Sequence, residues 1–285
     1  MRFFNIFRYD IRYGLISKPQ RFIVITLFSV FLFITFTFNI FHLFVHEVNG
    51  ISDINSLSLS YGDVILQQLG AHLPALDASV VESFAVPTQW LLMHILICYF
   101  SLNYLSEDLL HGGIQVISRA KSKKLWWASK CLWNISTVCS CYFVGYGILY
   151  ALCILTGKDG SFTLNPFVFK IVFSEILPNQ TKTSCDLFLY LCLLPTIVGI
   201  TVNLLQMTLT LYVKPVFAFV ASCVYFISGL YYANPLMLSN YAMPVRSRAI
   251  GIYSFDFLTG VFLCVTFSFI AILVGSHRIR LKDIN

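Results

Sequence analysis

RFIVITLFSVFLFITFTFNIF, residues 21–41, carries one charge, at its first position, and neither proline nor glycine. A helix needs about 20 apolar residues to cross about 30 Å of hydrocarbon, so this run predicts a membrane span near 22–45. It is too long for a cleaved signal peptide and ends in bulky residues rather than a small-residue cleavage site, so it is expected to stay in the mature chain. Working outward, comparable runs predict further spans near 86–105, 126–155, 187–212, 216–235 and 252–276. Barrel strands would alternate polar and apolar residues over about 10 positions. These runs are continuously apolar, which predicts helices. Composition agrees: of 285 residues 58% are hydrophobic and 11% charged, against about 25% charged in soluble domains. The expectation is an all-α polytopic membrane protein, a single domain over 1–285 with six transmembrane helices.

Orientation follows from Lys and Arg, which favour cytoplasmic loops. With the N-terminus inside, 14 of the 19 basic residues fall on the cytoplasmic side and 9 of the 13 acids on the other, leaving +10 against −4. Both termini are therefore expected to be cytoplasmic. The net charge of +6 then reflects membrane orientation and calls for no nucleic-acid partner. Before the first span, residues 1–19 place Phe3, Phe4, Phe7, Ile11 and Leu15 at helical spacing among Arg2, Arg8, Asp10 and Arg12. That pattern predicts an N-terminal interfacial amphipathic helix resting on the lipid headgroups. On the external side, YGDVILQQLG (61–70) reads as a short helix lying on the outer surface.

Catalytic signatures are missing. No G-x-x-x-x-G-K-[ST], H-E-x-x-H or G-x-S-x-G occurs, and the nine cysteines form no C-x-x-C pair. No catalytic, cofactor-binding or metal site is expected in this chain. Among the polar residues inside spans, His94 stands out because an ionisable ring at that depth is a functional candidate. Asn203 and Gln206 are further intramembrane candidates, although such amides usually hydrogen-bond between helices for about 0.6 kcal/mol.

The most polar segment between spans is SEDLLHGGIQVISRAKSKKLWWASK, residues 106–130. Acid at its start and base at its end complement a helix dipole, and Trp126, Trp127 and Trp133 mark the interface where the next span enters lipid. Acidic residues, then glycine, then an apolar stretch, Ser-Arg and a lysine at the next span resemble the segment between the second and third helices of type-2 ABC exporter permeases. The matching residues are Glu107, Asp108, Gly112, Gly113, Ile117, Ser118, Arg119 and Lys130. Three departures are visible: Gly113-Ile114 stands where the family often has Gly-Thr, Ile117 where it often has proline, and the first external loop is unusually long for compact members.

The resemblance implies a cytoplasmic coupling hairpin seated on a separate ABC ATPase subunit. Glu107, Asp108 and Arg119 would make charged contacts, Leu109, Leu110 and Ile114 would pack into the groove, and Gly112 and Gly113 would turn the chain. ATP and Mg would belong to that partner. The implied protein is a permease working with a second copy or a paralogue in the bacterial cytoplasmic membrane, exporting a peptide, antibiotic or lipid-like compound. The competing reading is a non-transporting membrane sensor or immunity protein that recognises an external peptide.

Overall fold

The computed structural model describes residues 2–47, 59–71, 86–111, 122–166, 169, 183–250 and 255–281. Among them the regular elements are helices, with α1 at Arg2–Asp10 running into a π-helical stretch Ile11–Ile16, then α2 at Gln20–Glu47 and α3 at Tyr61–Leu69. After α4 (Thr88–Ser101) and α5 (Tyr104–His111) comes α6, Lys123–Leu155. The helix Ser184–Leu209 forms α7 and contains a π-helical stretch at Leu189–Leu193. The order closes with α8 (Pro215–Tyr231), the short α9 (Leu238–Tyr241) and α10 (Phe257–Leu281).

Among the described residues four helices are long and apolar enough to cross a membrane: α2 over Gln20–His42, α6, α7 and α10. Their outward faces fit that role. Leu27, Ile34 and Phe38 on α2 and Leu258, Phe262 and Phe269 on α10 are all exposed, a continuous apolar exterior that water would not tolerate. The other two expected spans are shorter. α8 has 17 residues, and the run expected at 86–105 is a 14-residue helix that breaks at Leu102–Asn103 before restarting as α5. The last span begins at Phe257 rather than near 252 and continues to Leu281.

Helix α6 is the hub, packing against α1, α2, α7 and α10. In lipid an apolar contact gains little over lipid itself, so close backbone approach replaces the hydrophobic effect as the source of packing energy. Gly275 of α10 shows this, because the Trp127 indole of α6 occupies the space that a Cβ there would need. The long helices alternate in direction. One end of the bundle collects α1, Lys18, Lys123, Lys130 and Arg280, and is the basic end. The other, the far end, holds α3, residues 156–166 and the segment 232–250.

At the far end the expectation for 61–70 needs correction. The helix forms, but it is inserted into the bundle and not laid on its surface: eight of its nine residues are buried. Its polar groups are satisfied where they sit, so burial leaves few of them wanting. Ser60 and Asp63 form a reciprocal capping box, Gln68 accepts a hydrogen bond from Thr35 of α2 at 2.9 Å, and Gly70 O accepts one from Val245 N at 3.2 Å. The segment 232–250 is pinned in turn. The buried Arg246 guanidinium donates to the carbonyls of Gly229 at 2.5 Å and Leu230 at 2.9 Å, capping the C-terminus of α8 with the charge its dipole favours.

Candidate functional site

At the basic end α1 turns toward α6 the face that carries Ile6, Asp10 and Gly14, four residues apart and all buried, while Phe4 and Tyr13 point outward. The fit is close. A Cβ on Gly14 would come within 2.6 Å of the Tyr104 ring and also meet the Trp133 indole. Arg21 holds the turn by donating to Gly14 O at 3.0 Å and lies 5.7 Å from the centre of the Trp133 ring. Thus α1 is bolted to the bundle.

The bolt is ionic. Lys130 of α6 places its Nζ 2.5 Å from Asp10 Oδ1 and 2.8 Å from Asp108 Oδ2, with side-chain exposures of 1% for the lysine, 0% for Asp10 and 4% for Asp108. Two carboxylates share one ammonium, and neutral donors supply the remainder. Tyr104 donates its hydroxyl to Asp10 Oδ1 at 2.8 Å, Ser129 to Asp10 Oδ2 at 2.5 Å, and the Trp126 indole to Asp108 Oδ2 at 3.1 Å. The ammonium also lies 4.8 Å from the centre of the Tyr104 ring, which stacks on Trp133 at 3.8 Å. Removing one partner of a buried ion pair costs about 3–5 kcal/mol, so this cluster fixes three chain segments to one another: the end of α1, α5 and the start of α6.

The coupling residues read from the sequence fall into four groups. Glu107 points outward, where it meets Lys18 at 2.6 Å in a pair that is 48% and 38% exposed. Asp108, its neighbour, points inward into the cluster, so its carboxylate is engaged within the chain. Leu109 and Leu110 are on α5, and Gly112, Gly113, Ile114 and Arg119 lie outside the described residues.

Of the intramembrane candidates, His94 is enclosed by Trp90, Phe226 and Tyr142, with ring-centre separations of 4.7, 4.8 and 6.1 Å. Its Nδ1 lies 2.8 Å from Trp90 O, and its Nε2 has no hydrogen-bond partner among the described residues. Asn203 and Gln206 stitch α7 to α4. Ser101 donates to Asn203 Oδ1 at 2.5 Å, and Gln206 donates to Cys98 O at 2.9 Å. Asn203 and Gln206 therefore lie on the α4–α7 seam, whereas His94 packs against rings of α6 and α8, and none of the three bonds to the ionic cluster.

Sequence reading passed over Asp10, Tyr104 and Ser129. Asp10 looked like part of a solvated polar face, and its placement four residues from both Ile6 and Gly14 was the available signal. No group of three or more His, Cys, Asp or Glu residues able to hold a metal occurs among the described residues.

At the far end the capping carboxylate of Asp63 is the counterpart of the cluster. It accepts the backbone N–H of Ser60 at 3.0 Å and that of Asn165 at 2.8 Å, tying α3 to the segment that follows α6. Burial raises its pKa above the ordinary 3.8, and these hydrogen bonds partly offset the rise. Across the molecule, then, α6 meets a charged bolt at one end and a hydrogen-bonded plug at the other. No family model matches the chain, and no curated protein or solved structure shows a significant match to it.

Proposed function

We propose that the chain is the membrane-spanning subunit of an ATP-driven bacterial exporter, with α4 and α8 completing six spans and both termini in the cytoplasm. A separate ABC ATPase subunit hydrolyses ATP and bears on the hairpin that begins with α5. A second copy or a paralogue completes the transport path, and the cargo is a peptide, antibiotic or lipid-like compound. The observation that carries this reading is the buried Asp10–Lys130–Asp108 cluster. A ligand or partner shifts a conformational equilibrium only through contacts that differ between the states. In this chain a force applied to α5 has a short route to α6, because Asp108 and Lys130 join them. Outward opening would displace α3 from the far end.

The test is purification from cells expressing the neighbouring genes together with this one, followed by vanadate-sensitive ATP hydrolysis in lipid. The expected result is a copurifying ATPase that separates from the chain when Glu107→Lys and Arg119→Glu are combined. A folded chain that purifies alone and supports no hydrolysis would overturn the exporter reading in favour of a membrane sensor or immunity protein.

A further inference from the structure

An open groove of about 560 Å3 runs along α6, within the range of about 300–1,000 Å3 typical of small-molecule sites. Its floor is one face of that helix: Cys139, Tyr142, Phe143, Tyr146, Gly147 and Tyr150 follow the spacing i, i+3, i+4, i+7, i+8, i+11. The opposite wall is the π-helical stretch of α7 with Thr196 one turn on, and π-turns inside α-helices are frequent at functional sites. Aromatic rings close the far end. Tyr61 of α3 stands edge-on to Tyr150 and to Phe162 at 5.3 and 5.1 Å, and Phe162 stands edge-on to Phe188 at 5.3 Å.

The hydroxyls along the groove are turned to protein. Tyr61 donates to Tyr146 O at 2.9 Å, Thr196 to Cys192 O at 2.7 Å, and the Tyr142 hydroxyl lies against Gly199 of α7, 2.7 Å from where a Cβ would stand. The surface left over is hydrocarbon and sulfur. Phe143 is 80% exposed along one side, and a Cβ on Gly147 would meet nothing within 4 Å.

We propose that this groove holds one acyl chain of a membrane phospholipid from the leaflet at the far end. Length is the argument that selects this occupant. From Cys139 to Tyr150 at 1.5 Å per residue the floor is about 16 Å long, and half of the hydrocarbon core is about 15 Å. The groove thus runs from mid-membrane to the interface, the path of a chain anchored by its headgroup. A polar cargo would find few hydrogen-bonding partners on this almost wholly apolar surface, and a globular one would overfill it. Because Tyr61 and Phe162 belong to α3 and to the segment bonded to it, the lipid tail lies directly against the plug.

The site is tested by reconstituting the full chain in vesicles of phosphatidylcholine that bears a photoreactive diazirine on its acyl chain, then mapping the labelled residues by mass spectrometry. Labelling within 139–150 and 188–196 is expected to exceed several-fold that on the exposed α10 face at Phe262 and Phe269. Gly147→Trp, and independently Cys139→Trp at the mid-membrane end, should bring groove labelling down to the α10 level with the melting temperature nearly unchanged. Should one variant fail to fold, the other decides. Equal labelling of groove and α10 overturns the proposal, as does labelling that both tryptophans leave intact. Efficient oxidative crosslinking of two chains through the exposed Cys139 also overturns it, because the occupant is then a second copy.

Discussion

The two ends of the bundle are held by opposite chemistry. At the basic end three buried charges and their neutral donors clamp α1, α5 and α6. At the far end a nine-residue helix is buried almost completely, held mainly by backbone groups and a single capping carboxylate. A buried ion pair is costly to break and tolerates little displacement, whereas single hydrogen bonds of about 1–3 kcal/mol each can be exchanged for others. The contrast assigns rigidity to the basic end and exchangeability to the far end.

The sharpest way to break that contrast is Lys130→Met, which leaves Asp10 and Asp108 buried together without a cation. The expected loss is about 3–5 kcal/mol, seen as a large fall in melting temperature in detergent or as failure to accumulate. Adding Asp10→Asn and Asp108→Asn should recover much of it, and absence of recovery would show that packing, not charge, holds this end.

The next effect belongs to the far end. Asp63→Ala removes the acceptor for Ser60 N and Asn165 N and should cost about 1–2 kcal/mol, read as faster hydrogen exchange across Val64–Leu69. Asp63→Asn keeps an acceptor and sheds a charge that burial disfavours, so its cost should be smaller than that of alanine. The sign with pH follows. A carboxyl whose folded pKa lies above its unfolded value contributes stability that is fully present below the unfolded value and lost as pH rises through the folded one. Acidification from neutral toward the ordinary 3.8 should therefore raise the protection of the α3 amides after the intrinsic, base-catalysed slowing of exchange is divided out, and Asp63→Asn should abolish that gain.

The smallest effect is expected from the exposed Lys18–Glu107 pair beside the cluster. Glu107→Gln should change stability by about 0–1 kcal/mol, measured by the same melting experiment. A loss as large as that of Lys130→Met would erase the distinction between the inward and the outward acid of α5.

Much of the helical layout was legible because long apolar runs such as 21–41 and 257–276 contain no proline and, beyond Arg21, no charge. The interruption at Leu102–Asn103 was not. Neither glycine nor proline stands there, and the turn is one that lets Tyr104 and Asp108 reach Asp10 and Lys130. Nor did apolar spacing separate Glu107 from Asp108: adjacent residues on a helix point about 100° apart, and which of them is buried depends on partners more than 80 residues away or across the hairpin. The depth of α3 was hidden for a related reason. YGDVILQQL carries three polar side chains that look solvated, and only the surrounding structure provides Thr35 and Asn165 to donate hydrogen bonds to two of them. The Ser60-x-x-Asp63 cap, by contrast, was present in the letters.

Helix α6, with 33 residues, is about 50 Å long at 1.5 Å per residue and exceeds the roughly 30 Å of a hydrocarbon core. It is unbroken from Lys130 in the bolt to the Tyr146 carbonyl that receives the Tyr61 hydroxyl of the plug. A continuous rod of that length behaves as a lever: a few degrees of tilt about its middle moves both ends by an ångström or more in opposite directions. The clamp and the plug are therefore the two arms of one beam, and neither end can be reset without the other registering it.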